Sequence, residues 1–311
     1  MKSRYSFFFT VANPGIASDR AILSSKNEIY QQLSDEIIPK TLLVNTSTTL
    51  DECRAFIHQH NLEFPVIAKP DKGLRGIGLH VINNINELGE LLKSLNQDYL
   101  LQEFVPFDKE LGVFVIRQAD GTFKITSIVD RAFASITGDG KKTVKELLLS
   151  NMRYAMQYEF LVNQQGIDAS SILNKGEILE FEKIGNHSKG TIFKDGMHLK
   201  SVELLNMLTQ NLSTFQGFNF GRLDIKYHNY EDLIQGNNFK VIELNGIYSE
   251  PAHIYEHSIF YAWKVILTHF RILYEISMRE IHKGNVPADF SSGLRGLIQY
   301  FTFKRAVVGG E

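Results

Sequence analysis

Polar side chains alternate with apolar residues along two predicted strands in the second half of the chain. Arg222 and Asp224 are two residues apart on the first strand, and Glu243 and Asn245 are two residues apart on the second. Because alternate residues of a strand share a face, a hairpin of these strands would bring all four groups together. Carboxylate and amide oxygens, without thiols or imidazoles, suit Mg²⁺, which also takes phosphate oxygens. An ordinary half-exposed strand that binds no metal is the alternative.

A second group consists of a predicted strand that ends at Lys69 and a loop with glycines at Gly73, Gly76 and Gly78. Such a lysine, beside several free backbone N–H groups, can surround phosphate oxygens. The glycines join two strands and do not open a helix, so the pattern is not a Rossmann dinucleotide fingerprint. A plain hairpin turn with an exposed lysine is the alternative.

A third group is the strand end around Gln102 and Glu103, followed by Glu110. The backbone of such a strand end can hydrogen-bond an adenine edge, and an acid can bind ribose hydroxyls. On its own this pattern carries little information.

Helices and mostly antiparallel strands are predicted in separate clusters, which favours an α+β fold over a doubly wound parallel sheet. Predicted strands cover residues 5–12, 65–69, 80–83, 99–105, 111–117, 123–129, 221–227 and 239–245. Predicted helices cover residues 25–33, 51–60, 86–95, 143–149, 200–216 and 253–282.

The composition of the chain excludes several classes of function. The chain has 311 residues, 43% of them hydrophobic, which is enough to bury a substantial core in two or three lobes. The formal net charge of -2 lacks the basic excess of a nucleic-acid binder, so we expect no nucleic-acid partner. Cys53 is the only cysteine, which excludes an internal disulfide and fits a cytoplasmic location.

No membrane span is expected either. The apolar run from Tyr5 to Ala12 is far shorter than the roughly 20 residues that a spanning helix needs. Charged residues interrupt the longer stretch from His253 to His282 at helical intervals, which is typical of an amphipathic helix that packs on a core.

The three groups, in this order, resemble the ATP-grasp superfamily from about Lys26 to Glu250. The resemblance implies two α+β lobes whose antiparallel sheets grip ATP, preceded by a shortened N-terminal region. We expect that region at residues 1–40, the small lobe at 41–125, the large lobe at 126–285 and a C-terminal extension at 286–311.

The resemblance also assigns roles to single residues. Lys26 and Lys69 would contact the ATP phosphates, the glycine loop would close over them, the strand end would form the adenine hinge, and Glu110 would hold the ribose. The implied nucleotide-binding residues are Lys26, Lys69, Gly73, Arg75, Gly76, Gly78, Gln102, Glu103, Phe104, Val105 and Glu110. The implied ligands of Mg²⁺, with Mn²⁺ as a possible substitute, are Asp224, Glu243 and Asn245, and the implied catalytic residues are Arg222, Arg131 and Lys189.

Within the superfamily the chain is similar to carboxylate-amine ligases related to D-alanine-D-alanine ligase and cyanophycin synthetase. The segment at 138–147 resembles a Gly-Asp-Gly element of the latter, and the segment at 186–191 resembles its Asn-Leu-Ser-Thr-Gly-Gly-Thr loop. The segment Gly246–Pro251 departs from the Ser-Pro-Gly that often follows the metal-binding Asn in D-alanine-D-alanine ligases. That departure speaks against two free D-alanines as substrates.

The activity that the resemblance implies is ATP-dependent ligation of a carboxylate to an amine through an acyl phosphate, with release of ADP and phosphate. The substrates would be small molecules or polymer ends, and a homo-oligomer is possible. Two alternatives stay open: a phosphotransferase with a kinase-like product, and a non-catalytic ATP-binding module that regulates a partner.

Overall fold

Antiparallel sheets and flanking helices make up the chain. The computed structural model describes residues 5–16, 24–73, 76–132, 135–155, 158–163, 167–180, 192–296 and 298. The strands are β1 (Thr41–Val44), β2 (Val66–Pro70), β3 (His80–Ile82), β4 (Tyr99–Glu103), β5 (Lys109–Arg117), β6 (Phe123–Ala132), β7 (Ser135–Thr137), β8 (Ile178–Glu180), β9 (Ile192–Asp195), β10 (Phe220–Tyr227) and β11 (Phe239–Asn245).

The α-helices form between and after these strands. They are α1 (Lys26–Tyr30), α2 (Leu50–Gln59), α3 (Ile85–Ser94), α4 (Val144–Ser150), α5 (Met152–Ala155), α6 (Tyr158–Asn163), α7 (Val202–Leu212), α8 (Tyr230–Ile234) and α9 (Ile259–His282). Every strand pair in the described residues is antiparallel, so the predicted α+β class is confirmed.

The smaller sheet has the order β1-β4-β2-β3 and is covered by α2 and α3. Thr49 begins α2 with a capping box, in which its hydroxyl accepts from the backbone of Glu52 and the Glu52 carboxylate accepts from the backbone of Thr49. Asn84 caps α3 with its side chain, which accepts from the backbone N–H groups of Asn86 and Glu87. Cys53 and Leu88 from these helices pack on Val66 and its neighbours, which fixes the strand that ends beside Lys69.

The larger sheet has the order β11-β10-β5-β6-β9. Leu111 and Val113 of β5 pack with α7 on one face, while Phe114 and Ile116 pack with α9 on the other. The chain passes from the smaller to the larger sheet between Glu103 and Lys109, which is earlier than the expected lobe boundary at residue 125. A two-stranded sheet, β7-β8, packs with α4 and α6 as a separate small core. In chain order these elements lie between β6 and β9.

The predicted N-terminal strand is wrong. The segment Phe8–Val11 is a 3-10 helix, and Phe7 makes only an isolated bridge to Ala288. The Thr10 backbone N–H and hydroxyl both donate to the carbonyl of Phe7, at 3.2 and 2.8 Å, which satisfies the turn locally. A short apolar run can be buried in either conformation, so its hydrophobicity alone did not distinguish them.

The long C-terminal helix also begins later than predicted. Residues Ala252–Glu256 form a 3-10 helix, and α9 starts at Ile259 after the N-cap Ser258. In the part of the chain that the structure describes, no helix is both long and apolar enough to cross a bilayer.

Candidate active site

The predicted pairing of the two polar strands is confirmed. Strands β10 and β11 are antiparallel neighbours, with Asp224 opposite Glu243 and Arg222 opposite Asn245. Directly opposite residues share a face of the sheet, so the two carboxylates and the amide lie on one side of β10-β11. The sequence therefore placed these four groups correctly.

A β-bulge interrupts this pairing next to the two acids. Asp224 pairs with Glu243, but Ile225 pairs with Val241, so Ile242 is an extra residue on β11. The carbonyl oxygen of Ile242 accepts hydrogen bonds from Lys69 Nζ at 3.0 Å and from the Tyr30 hydroxyl. The bulge thus turns a backbone acceptor toward the smaller sheet.

Lys69 is the last residue but one of β2 and is buried between the two sheets. Its Nζ also donates to the hydroxyl of Tyr30 at 3.0 Å. Burial lowers the pKa of Lys69 to about 8, against the opposing effect of Glu243 and Asp224. Burial likewise raises the pKa of Tyr30, so the phenol is neutral and can donate. Sequence reasoning did not identify Tyr30, because its partner is a backbone carbonyl more than two hundred positions away.

Asp224 is almost completely buried and is held by two arginines. Arg222 Nε lies 2.8 Å from Oδ1, and Arg131 Nη2 lies 2.8 Å from Oδ2. Asn245 Nδ2 donates to Oδ2 at 3.3 Å. Burial by itself would raise the pKa of Asp224, but the guanidinium groups of Arg131 and Arg222 outweigh it and hold this pKa below its usual value.

Arg131 connects Asp224 to a second buried acid. Arg131 of β6 lies opposite Glu110 of β5, and its Nη1 donates to Glu110 Oε1. Burial raises the pKa of Glu110 despite this partner, and Glu110 Oε2 has no hydrogen-bond partner among the described residues. The sequence placed Arg131 at the reacting carboxylate and Glu110 at the ribose, whereas the structure joins them in one network with Asp224.

Gly112 leaves room for this network, and sequence reasoning did not identify it. It lies opposite Asp224 on β5. A Cβ at this position would lie 3.2 Å from Arg222 Cδ and 3.3 Å from Asp224 Oδ1. Glycine therefore lets both side chains lie flat across the neighbouring strand.

Lys26 reaches the same region from α1. Its Nζ lies 3.4 Å from the carbonyl of Asp71, 3.2 Å from that of Gly73, and 3.6 Å from Glu243 Oε1. The Asp71 carboxylate accepts from Ser25 Oγ at 2.9 Å and from the backbone of Asn27 at 2.8 Å, which anchors the start of α1. The short N-terminal segment is thus docked so that Lys26 spans the glycine loop and the acid pair.

The predicted hinge lies at the end of β4. Gln102 is buried and donates to Thr41 Oγ1 at 2.9 Å, while Glu103 accepts from the backbone of Lys40 at 3.0 Å. Both side chains therefore make their hydrogen bonds within the smaller lobe.

Beyond them the hinge meets the larger sheet through Lys226, which sequence reasoning missed. Lys226 Nζ donates to the carbonyl of Val105 at 3.3 Å and lies 5.8 Å from the centre of the Phe104 ring. Lys226 is also opposite Glu110, and burial lowers its pKa. Lys226 therefore connects the hinge to the row of charged groups that contains Glu110.

Two glycines of the glycine loop adopt a left-handed backbone conformation that favours glycine. Gly76 and Gly78 have φ values of 72° and 73°, which L side chains rarely adopt. A Cβ on Gly73 would lie 3.2 Å from Pro70 Cβ. Two predicted site residues, Arg75 and Lys189, lie outside the described residues.

The donor set fits a hard divalent cation. Glu243 has a side chain that is 32% exposed, and Asn245 uses its amide nitrogen on Asp224, which leaves its carbonyl oxygen as an acceptor. Within the described ranges no group of three or more histidine, cysteine or acidic residues is arranged around a metal position. Two carboxylates and one amide oxygen are few ligands, as expected where phosphate oxygens complete the coordination of Mg²⁺.

Comparisons with known proteins bear on the fold. A model of the ATP-grasp domain matches residues 37–136. The chain is 25% identical over 108 residues to the formate-dependent phosphoribosylglycinamide formyltransferase of Prochlorococcus marinus (strain NATL2A). That match covers 32% of this chain and 27% of the other, so the chain spans about a quarter of the length of this curated relative.

Solved structures show the same architecture. D-alanine-D-alanine ligase from Bacillus anthracis, complexed with ATP, has 13% identity and a TM-score of 0.50, covering 87% of this chain and 70% of that chain. A second structure of that ligase has the same identity and TM-score and covers 90% and 78%. Such likeness concerns the fold alone, and with the domain match it confirms the predicted ATP-grasp fold.

Proposed function

We propose that this chain, with its ATP-grasp fold, is an ATP-dependent ligase that activates a carboxylate as an acyl phosphate and joins it to an amine. The main observation in support of this proposal is that groups from the smaller and the larger sheet are in contact. Lys69 from the smaller sheet donates to the carbonyl of Ile242, the bulge residue next to Glu243 on the larger sheet. One bound nucleotide would therefore reach both the lysine ammonium groups, which contact its phosphate oxygens, and a metal ion held by the carboxylate oxygens.

The nucleotide phosphates would lie between the glycine loop and the acid pair. Lys26 and Lys69 would balance their charge, and backbone N–H groups near Gly76 and Gly78 would cradle them. Both lysines now donate to backbone carbonyls, those of Gly73 and Ile242 respectively. Phosphate oxygens are stronger acceptors for an ammonium and would replace these carbonyls.

Glu243, Asn245 and Asp224 would hold Mg²⁺, for which Mn²⁺ is a possible substitute. The bound ion supplies a Lewis acid that neutralises charge on the phosphates. The network of Arg131 and Arg222 keeps Asp224 ionised for this role, since the two guanidinium groups outweigh its burial.

Arg222 is the residue that we assign to the reacting groups. It is anchored through Nε and Nη2 to Asp224, and its Nη1 donates to the carbonyl of Glu250 at 3.1 Å. Held this way, the guanidinium would stabilise charge where a substrate carboxylate oxygen attacks the γ-phosphorus and ADP leaves. The amine then attacks the acyl carbon, the C–O bond to phosphate breaks, and the amine proton goes to solvent.

The N-terminal segment bears on the substrate class. The described residues up to 40 contribute α1 and a 3-10 helix, and they add no strand to the smaller or the larger sheet. We infer that the described part of the chain leaves the acid-binding side open enough to accept a bulky or polymeric substrate end. The sequence Gly246–Pro251, which departs from the Ser-Pro-Gly of D-alanine-D-alanine ligases, supports the same inference.

The test is a matrix of carboxylates and amines, assayed for ADP and free phosphate in the presence of Mg²⁺. The proposal expects equal amounts of both products, dependent on both substrates, and little product with free D-alanine alone. Glu243→Gln should lower this turnover by roughly two orders of magnitude, because a charge interaction worth a few kcal/mol is lost. Phosphate retained on an acceptor would indicate a kinase, and ATP binding without turnover across the matrix would indicate a regulatory module.

A further inference from the structure

Tyr30 is the last residue of α1, and its side chain reaches both the smaller and the larger sheet. Its hydroxyl donates to the carbonyl of Ile242 on β11 and accepts from Lys69 Nζ on β2 at 3.0 Å. Lys69 Nζ donates to the same carbonyl at 3.0 Å. One phenol, one ammonium and one backbone carbonyl therefore form a closed triangle between the two sheets.

The triangle has little contact with water. Tyr30 is 4% exposed and Lys69 is 8% exposed. Burial raises the pKa of the Tyr30 phenol, and a hydrogen bond with Gln102 opposes this effect only in part. The phenol is therefore protonated at neutral pH, and its O–H is available as a donor to Ile242.

Helix α1 is anchored at its other end beside the glycine loop. The hydroxyl of its N-cap Ser25 donates to Asp71 Oδ1 at 2.9 Å. Lys26, four residues before Tyr30 and thus on the same face of the helix, lies 3.2 Å from the carbonyl of Gly73. Because the helix is fixed at both ends, the Tyr30 hydroxyl is held in place before any nucleotide binds.

Nucleotide binding, as proposed above, would take one donor from the Ile242 carbonyl, because Lys69 would turn from it to phosphate oxygens. Ile242 is the extra residue of the bulge, so it has no directly opposite residue on β10. Leaving a shielded carbonyl without a donor costs free energy. The Tyr30 hydroxyl can keep its hydrogen bond to this carbonyl, and it can still accept from the ammonium of Lys69, which has three N–H donors.

We propose that Tyr30 is a positioning residue for nucleotide binding, which satisfies the Ile242 carbonyl and so frees the Lys69 ammonium for the ATP phosphates. Tyr30 itself contacts no substrate and acts through Lys69. The inference rests on the nucleotide site of the proposed function, and it assigns a role to a residue that the sequence motifs did not include.

Tyr30→Phe isolates the hydroxyl, because the ring remains and Lys69 Nζ lies 5.4 Å from its centre. ATP with Mg²⁺, without a carboxylate, is titrated into the full chain and followed by calorimetry. In the variant, Lys69 is the only side-chain donor to Ile242 among the described residues, so phosphate must compete with the carbonyl for it. We expect ATP affinity to fall about tenfold.

Tyr230→Phe is the matched control. The Tyr230 hydroxyl also donates to a backbone carbonyl, that of Leu199, but it packs with α7 on the face of the larger sheet away from Asp224. This variant should bind ATP as the intact chain does. Urea denaturation of both variants compares the stability that each loses with its hydroxyl.

A double-mutant cycle tests whether Tyr30 acts through Lys69. In a Lys69→Ala background there is no ammonium to release, so adding Tyr30→Phe should change ATP affinity less than about twofold. A merely structural role of Tyr30 would give the same loss in both backgrounds. Independent additivity of the two changes would therefore contradict the proposal.

A rescue variant separates the donor from the space that it fills. Tyr30→4-aminophenylalanine places an N–H donor where the hydroxyl was, so the Ile242 carbonyl stays satisfied even if Tyr30→Phe proves unstable. Its ATP affinity should stay within about threefold of that of the intact chain. A tenfold loss in this variant would show that the donor to Ile242 is not what matters.

The titration of the intact chain distinguishes failure of this inference from failure of the proposed function. If the intact chain binds no ATP with Mg²⁺, the proposed nucleotide site is wrong, and the role of Tyr30 falls with it. If the intact chain binds ATP and Tyr30→Phe binds it equally well, only the role of Tyr30 is overturned.

Discussion

The ammonium of Lys69 lies 3.0 Å from the carbonyl oxygen of Ile242, the extra residue in the bulge between the strands of Asp224 and Glu243. The contact joins the end of a smaller-sheet strand to the backbone next to Glu243, one of the proposed metal ligands. A bulge beside an active site is a recurrent way to re-aim a backbone group. Here it holds the lysine at the position where phosphate oxygens are proposed to bind.

Removing this ammonium should weaken nucleotide binding. We expect Lys69→Ala to lower ATP affinity by at least about tenfold, because a charge-assisted contact in a buried site is lost. Lys72→Ala is the matched control, since Lys72 is exposed three residues away and an exposed charge contributes little. Calorimetric titration of both variants decides the point, and equal affinities would remove Lys69 from the phosphate site.

The pH dependence of ATP binding should follow Lys69. Burial lowers the pKa of this group to about 8, so it is mostly protonated at pH 7 and mostly neutral at pH 9. Only the ammonium attracts phosphate, and affinity should therefore fall about tenfold as pH rises from 7 to 9. Lys69→Arg keeps its proton throughout this range, so its affinity should change much less. Parallel pH profiles for the two proteins would contradict this assignment.

The sequence predicted the polar strand pair but not its surroundings. Period-two alternation was enough to place Asp224 with Arg222 and Glu243 with Asn245 on one face. Gly112 and Glu110 join them only through the pairing of β5 with β10, between residues more than a hundred positions apart. Tyr30 and the bulge at Ile242 depend on contacts between backbone and side chain that leave no periodic signal. The strand predicted at residues 5–12 was wrong for a related reason, because apolar composition does not specify backbone conformation.

Gly112 should be sensitive to a single added methyl group. In Gly112→Ala the new Cβ would lie 3.2 Å from Arg222 Cδ and 3.3 Å from Asp224 Oδ1, so these two side chains must shift by a few tenths of an ångström. We expect turnover to fall about tenfold, since small displacements of positioned groups are costly in catalysis. Gly89→Ala is the control, because its Cβ would make an ordinary 3.6 Å contact with Leu50 inside a helix. Steady-state kinetics on the two variants compares them, and equal turnover would show that Arg222 tolerates the shift.

The buried Arg131 should matter for folding as well as for the site. Arg131→Met leaves the Glu110 carboxylate buried without its cation, which should reduce the free energy of unfolding by about 3 to 5 kcal/mol. Arg54→Met breaks a pair with Asp51 whose side chains are 55% and 87% exposed, so its effect should stay below about 1 kcal/mol. Urea denaturation measures both. Similar losses for the two variants would mean that the Glu110–Arg131–Asp224 network does not contribute as a buried unit.

The acyl phosphate is the centre of the proposed function, and isotope transfer tests it most directly. A carboxylate that supports ADP release in the substrate matrix is prepared with ¹⁸O in its carboxyl group and incubated with ATP, Mg²⁺ and the amine. Mass spectrometry of the released phosphate then follows the label. If the carboxylate oxygen attacks the γ-phosphorus, one ¹⁸O from the acid should appear in each phosphate. Phosphate that carries no label while the amide forms would contradict the acyl-phosphate route.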